Sequence, residues 1–178
     1  KVLGQDHPDT LTSLNGLGVA LNYQKKYGEA GEMFRRALEG REKVLGKDHP
    51  DTLTSLNDVG VALYSQEKYG EAGEMYRRAL EGREKVLGRH HKDTLTTLNN
   101  LALALYYQKK YGEAGEMYRR ALEGREKVLG KDHPDTLTSL NGVGVALHSQ
   151  EKYSEARETY RRALEGREKV LGRHHHDT

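Results

Sequence analysis

The chain contains no cysteine and no tryptophan, and only 3 prolines and 1 phenylalanine among its 178 residues. Without cysteine there is no disulfide, no thiolate nucleophile and no thiolate-held metal. No run of about 18 apolar residues occurs, which excludes a helical membrane span. With no secretion signal either, the expected location is the cytoplasm. Neither sign of charge dominates: 29 Lys and Arg stand against 27 Asp and Glu, for a formal charge of +2, and the signs are finely mixed. A nucleic-acid partner would want a one-sided basic face, so none is expected. Hydrophobic residues make up 35%, too many and too regularly spaced for a disordered chain, yet few for a deep globular core.

What the sequence has in abundance is itself. YGEAGEMYRRALEGREKVLG stands at 69–88 and again at 111–130, with Phe34 for Tyr at 27–46 and a looser copy at 153–172. Thr10, Thr52, Thr94, Thr136 and Thr178 recur every 42 residues in similar contexts. The repeats run 5–46, 47–88, 89–130 and 131–172, and the first two differ at 7 of 42 positions. Residues 1–4 match the tail of a preceding repeat and 173–178 the head of a following one, so the chain is expected to be part of a longer array.

Each repeat predicts two helices. In the second, a helix starting near Pro50–Asp51 carries Leu53, Leu56, Val59 and Leu63 at three- and four-residue spacing, one apolar stripe. Proline suits a first helical turn and Asp51 the positive helix end, while the cap is open between Asp48 and His49. A second helix from near Glu71 carries Ala72, Met75, Tyr76, Ala79 and Leu80, and its other face offers Glu74–Arg78, Arg77–Glu81 and Glu81–Lys85 pairs. Gly88 is expected to stop it. The short joint makes the two helices antiparallel. Gly60, matched by Ala102, is expected at a close helix approach; Gly73 and Gly82 read as tolerated helix glycines, and Arg157 at the place of Gly73 argues against a tight contact there. One such hairpin cannot bury its own stripe, so the pairs must stack.

These residues resemble tetratricopeptide repeats: Leu56, Val59, Gly60, Leu63, Tyr69, Ala72, Tyr76 and Ala79, with their counterparts in the other repeats. The usual period is about 34 residues. The 42-residue form, with HPDTLTSLN and RRALEGREKVLG, is similar to the kinesin-light-chain type and, in wording, to C-terminal arrays of fungal NLR-like nucleotide-binding receptors. The resemblance implies an all-α, right-handed superhelical solenoid of antiparallel helix pairs that binds a protein or peptide on the concave face of its first helices, without catalysis or cofactor. A receptor's ligand-sensing region, a cargo or assembly adaptor, and a scaffold associating end to end are the alternatives. No GxxxxGK followed by Ser or Thr is present.

Four notable first-helix positions vary between repeats: Gly16, Asp58, Asn100, Gly142; Asn22, Tyr64, Tyr106, His148; Tyr23, Ser65, Tyr107, Ser149; and Lys25, Glu67, Lys109, Glu151. Asn15, Asn57, Asn99 and Asn141 are constant. By the resemblance, the first three sets and the Asn ladder lie on or beside the binding face. The candidate groove residues are Asn15, Asn22, Tyr23, Asn57, Asp58, Tyr64, Asn99, Asn100, Tyr106, Tyr107, Asn141 and His148. Asn both donates and accepts, so the ladder can hold a peptide main chain, or it can bond between adjacent helices and space the repeats. Tyr offers large contact area at modest entropy cost. Tyr69, Tyr111 and Tyr153 are expected to pack at the helix turn.

No metal is expected from the nine histidines, which fall in separate junctions without zinc-site spacing. Ser13, Ser55 and Ser139 lack a nucleophile elbow, and Glu74, Glu81 and Glu84 lie among bases on a solvated face, so no enzyme is expected. The Arg35–Arg36, Arg77–Arg78, Arg119–Arg120 and Arg161–Arg162 pairs are flanked by glutamates and expected to be neutralised locally.

Overall fold

A computed structural model describes residues 4–176, and all regular structure in them is helical. Of the partial repeats at 1–4 and 173–178, residues 1–3 and 177–178 lie outside the described residues. The eight helices among the described residues are α1 (Pro8–Tyr23), α2 (Tyr27–Leu45), α3 (Pro50–Ser65), α4 (Tyr69–Val86), α5 (Lys92–Tyr107), α6 (Tyr111–Leu129), α7 (Pro134–Ser149) and α8 (Tyr153–His176). They fall into two compact units that divide between Gly88 and Arg89, with two repeats in each. In the first, α1 packs on α2, α2 on α3 and α3 on α4; in the second, α5 packs on α6, α6 on α7 and α7 on α8.

Histidine starts every first helix. Nδ1 of His49 accepts from the Asp51 amide at 3.2 Å, which resolves the cap in favour of His49 over Asp48. His7, His91 and His133 do the same at 3.2, 3.2 and 3.1 Å. The imidazole nitrogen satisfies an amide left over at the helix start, as a Ser or Asp oxygen does elsewhere. His91 does so ahead of Lys92, so the proline at this place is dispensable.

Each first helix ends in a Schellman turn. The Lys26 amide donates to the Leu21 carbonyl and the Lys25 amide to that of Asn22, both at 2.9 Å. This closure drives Lys25, Glu67, Lys109 and Glu151 to φ of 61–62°, in the left-handed region. The fourth variable position is therefore a turn residue beyond the helix. The second helix begins at Tyr69, two residues before the expected Glu71, with the Ala72 amide donating to the Lys68 carbonyl. Gly88 stands just past its end at φ 89°. Arg78 meets Glu42 of α2 at 3.2 Å rather than Glu74, and Lys85 meets Asp48. Arg162 meets Glu126 in the same way at 3.7 Å. The neighbouring second helix thus supplies the carboxylate for both arginines and the loop before α3 supplies it for Lys85, and each such surface pair is worth about 0–1 kcal/mol.

Two glycine notches in the first, second and fourth repeats, and one in the third, where Ala102 takes the other place, bring the helices together. A Cβ on Gly60 of α3 would lie 2.6 Å from the Tyr76 ring of α4, and a Cβ on Gly82 of α4 would lie 2.4 Å from Leu53 Cδ2 of α3. Early α3 thereby meets late α4, as antiparallel helices must. The expectation for Gly60 holds. That for Gly82 is corrected: it is a contact point, and Gly40, Gly124 and Gly166 receive Leu11, Leu95 and Leu137 at 2.3–2.5 Å. The place of Gly73 is also closer than Arg157 suggested. At Gly31 and Gly115 a Cβ would come within 3.2 and 3.3 Å of Gln66 and Gln150 from the next repeat, whereas Arg157 is exposed. Tyr76 and Tyr118 are buried, and burial pushes both phenols well above their ordinary range.

The stacking between repeats of a unit is polar as well as apolar. Arg41 donates to Ser55 Oγ at 2.8 Å and to the Asp51 carbonyl at 3.2 Å. Arg125 donates to Ser139 Oγ and the Asp135 carbonyl, both at 2.8 Å. Ser55 and Ser139 are fully buried acceptors for these guanidinium groups. Gln66 and Gln150 donate to the carbonyls of Tyr27 and Tyr111 at 3.0 and 3.1 Å, tying each repeat to the one before it.

Candidate functional site

On every first helix the Asn and the variable residue seven places on lie on one face, because seven residues are nearly two full turns. In the first unit these are Asn15 with Asn22 and Asn57 with Tyr64; in the second, Asn99 with Tyr106 and Asn141 with His148. Four residues after each Asn, on the same face, stand Val19, Val61, Leu103 and Val145. Val19 is 40% exposed and the other three are half-buried. This aliphatic row was missed at the sequence level. Its signal was there, as an apolar residue kept in all four repeats but displaced from the core stripe.

The Asn ladder is partly committed to structure. Asn15 Nδ2 donates to Asp58 Oδ2 across α1 and α3 at 3.1 Å, and Ser139 Oγ donates to Asn99 Oδ1 across α5 and α7 at 3.3 Å. The Asn15 side-chain oxygen is buried without a partner, and Asn57 is buried. Asn141 and Asn100 are half-buried. Asp58 is drawn into this cluster, and burial raises its carboxyl above the ordinary range. Hydrogen bonds from Asn15 and Asn57 and the charges of Arg83 and Arg41 oppose that rise.

The variable row seven residues on docks on the turn tyrosines. Tyr64 meets Tyr69 edge-on with ring centres 5.3 Å apart, Tyr106 meets Tyr111 at 5.3 Å, and His148 meets Tyr153 at 5.3 Å. Tyr69 and Tyr111 are half-buried as expected of packing residues, whereas Tyr153 is 58% exposed. In the second unit Tyr106 also meets Tyr107 edge-on at 5.5 Å and accepts from Ser149 at 3.2 Å. Asn22 is half-buried with its oxygen unpartnered, and Tyr23, next to it, is 85% exposed. The candidates thus separate into a polar cluster mid-helix and an aromatic edge at the helix end, with the aliphatic row between.

A different kind of concavity lies on the other side of each unit. Clefts of about 290 Å³ between α2 and α4, and about 590 Å³ between α6 and α8, are floored by Val59 and Leu63 and by Leu140, Val143 and Leu147. None of the candidate first-helix residues lines either one. Among the described residues no three His, Asp or Glu side chains converge as metal ligands, and no helix is long and apolar enough to cross a membrane.

Stacked helix hairpins with a half-exposed apolar row and amide and aromatic edges define a helical repeat module. The tetratricopeptide repeat model matches residues 9–85, 56–127 and 93–169, and the chain belongs to that family. No match is found among curated proteins. Among solved structures, the chain is similar to a Podosopora anserina protein described as a kinesin light chain with nearly identical TPR-like repeats. That likeness has a TM-score of 0.82 at 24% identity and covers 95% of this chain and 80% of the other. It is also similar to BtubC (BKLC) from P. vanneervenii, with a TM-score of 0.86 at 21% identity over 93% and 66% of the two chains. Aspartyl phosphate phosphatase F from Bacillus subtilis shares the fold at 16% identity, with a TM-score of 0.76 over 95% and 42%. At these identities the likeness establishes the fold alone.

Proposed function

We propose that the chain is a non-catalytic module that binds an extended peptide or protein segment along the first-helix face of each unit. The observation that carries this reading is the shared face of three rows: amide, aliphatic and aromatic. An extended segment presents main-chain groups, apolar side chains and ring-stacking surfaces, and the three rows match them in kind. The free parts of Asn99 and Asn141 hold main chain, Val61, Leu103 and Val145 take apolar side chains, and Tyr64, Tyr106, Tyr107 and His148 set selectivity. Asn15 is given to spacing the helices.

The test is capture of partners from cognate lysate, read by mass spectrometry. The parent is compared with a chain in which Tyr23, Tyr107 and His148, all exposed, are changed to Ser, after circular dichroism shows equal helicity. Loss of a partner with the triple variant supports the reading, and equal capture by both chains refutes it. In wording, the repeats resemble the sensing arrays of fungal NLR-like receptors, and we read the chain as such a ligand-sensing region in the cytoplasm. The structural likeness to proteins described as kinesin light chains favours a second reading, a cargo or assembly adaptor that uses the same face. An adjoining nucleotide-binding domain in the full-length protein decides for the receptor, and an adjoining coiled coil for the adaptor.

A further inference from the structure

The turn between the two helices of each repeat varies in a coupled, alternating way. The first repeat of each unit has Tyr two residues before Lys, as Tyr23 with Lys25 and Tyr107 with Lys109. The second has Ser two residues before Glu, as Ser65 with Glu67 and Ser149 with Glu151. The Lys or Glu is the left-handed residue of the Schellman turn, at φ of 61–62°. Glycine is the residue that conformation favours. Every turn nevertheless keeps a charged side chain there, and such outliers gather at ligand sites. All four charged residues are exposed, and among the described residues none of them has an ion-pair partner. Glu67 and Lys109 belong to the second and third repeats, so their exposure owes nothing to the ends of the chain. The constant charges beside them cancel: Lys26 meets Glu29 at 3.8 Å, and the same Lys and Glu recur in every repeat. The left-handed residue therefore sets the sign of its turn, positive in the first repeat of a unit and negative in the second.

The two turns of a unit are neighbours. Gln66, just before Glu67, donates to the carbonyl of Tyr27, two residues beyond Lys25, at 3.0 Å. Gln150, just before Glu151, donates in the same way to the Tyr111 carbonyl at 3.1 Å. In the second unit Ser149 also donates to Tyr106 Oη at 3.2 Å. Helices packed side by side lie about 8–10 Å apart, a span of roughly three residues of extended chain.

We propose that these turns read charge, and that the segment bound on the first-helix face carries an acidic and a basic side chain about two to four residues apart. The acid lies over the Tyr–Lys turn and the base over the Ser–Glu turn. This rests on the first-helix reading above and adds to it the charge pattern of the partner. Complementarity selects the occupant. A Tyr phenol donates and Lys supplies the counter-charge, which suits a short carboxylate. Ser65 and Ser149 are half-buried and project little, which leaves room for a long Lys or Arg of the partner to reach the Glu. A segment with two acids or two bases meets a like charge at one of the two turns.

Selection from a displayed random peptide library, with the 178-residue chain as bait, tests this. The parent is expected to enrich peptides that pair an acid with a base about two to four residues apart. A Glu67→Lys/Glu151→Lys chain is expected to enrich paired acids, and a Lys25→Glu/Lys109→Glu chain paired bases. Both are expected to fold, because each new side chain already occupies the same turn in another repeat. If either loses helicity by circular dichroism, Glu151→Lys or Lys109→Glu alone replaces it, with the same expectations for the second unit. In fluorescence anisotropy, a peptide selected by the parent is expected to bind the Glu67→Lys/Glu151→Lys chain at least about fivefold more weakly, and to recover when its base is replaced by Glu. The difference is expected to vanish in about 1 M salt, where charges are screened beyond about 3 Å. The same charge pattern enriched by all three chains overturns the proposal. If that enrichment is still lost with Tyr107→Ser and His148→Ser, the first-helix reading survives it. A parent that enriches no peptide overturns both.

Discussion

Gly82→Ala puts the glycine notches to a quantitative test. The added Cβ lands 2.4 Å from Leu53 Cδ2 and 3.1 Å from Cδ1, where ordinary contact begins near 3.4 Å. Leu53 is 2% exposed, so its side chain has no solvent to retreat into. Overpacking of this kind costs about 1–3 kcal/mol. Ala in place of a helical Gly returns about 1 kcal/mol, leaving a net loss of up to about 2 kcal/mol. The sharper readout is the coupling with Leu53. Leu53→Ala alone is expected to cost about 2–5 kcal/mol through the cavity it opens. In the Gly82→Ala background the clash disappears and the new methyl enters that cavity, so the same truncation is expected to cost at least about 1 kcal/mol less. Urea unfolding of the four chains of the cycle, followed by far-UV circular dichroism, measures this. For a chain of this size 1 kcal/mol is also about 2–4 °C in melting temperature. Additivity within about 0.5 kcal/mol, or a Gly82→Ala chain stabilised by the full helix-propensity gain, refutes the packing argument. Gly60→Ala is the contrast: Ala102 occupies that place in the third repeat at 0% exposure, so a far smaller change is expected.

Three further outcomes follow from the same geometry. His49→Ala removes the cap on the Asp51 amide and is expected to cost about 1 kcal/mol, whereas His49→Asp retains an acceptor and most of that stability; thermal melts that rank the two equally contradict the capping role. Lys25→Gly relieves a left-handed backbone at φ 62° and is expected to stabilise by about 1 kcal/mol, and an unchanged urea midpoint counts against strain at that turn. Asp58→Asn copies Asn100 of the third repeat and removes a carboxyl whose folded-state pKa is raised by burial. A raised acid pKa means that ionisation opposes folding, with the penalty full above the folded-state pKa and gone below the unfolded one. The melting temperature is therefore expected to rise at neutral pH and the gain to shrink on acidification; a gain that is the same at every pH rules out the ionisation argument.

Periodicity made the helices legible before any coordinates, because spacings of three and four have one geometric solution and the repetition shows it four times. The candidate first-helix face was implied by the resemblance to tetratricopeptide repeats, and residues seven apart on a helix do share a side. The helix-start cap was not decidable from sequence, because Asp48 and His49 both precede Pro50 and only backbone direction shows which side chain reaches the Asp51 amide. Of the expected i,i+4 ion pairs, Arg78 instead met Glu42 on the neighbouring α2, whereas Arg161–Glu165, the counterpart of Arg77–Glu81, forms at 3.9 Å. Gly82 looked like a tolerated flaw because a linear sequence does not show that Leu53 arrives opposite it.

By itself, then, the sequence determined the repeat length, the two helices per repeat, the stripe each buries and the absence of thiolate chemistry. These follow from local periodicity and side-chain inventory, which depend on near neighbours along the chain. The tertiary structure alone decided that Gly82 is a notch as Gly60 is, and which of the two roles open to Asn15 it takes. It also decided that Asp58 is drawn into a buried amide cluster. Each of these depends on which residue of another helix comes within a few ångströms, and that is settled by how the hairpins stack.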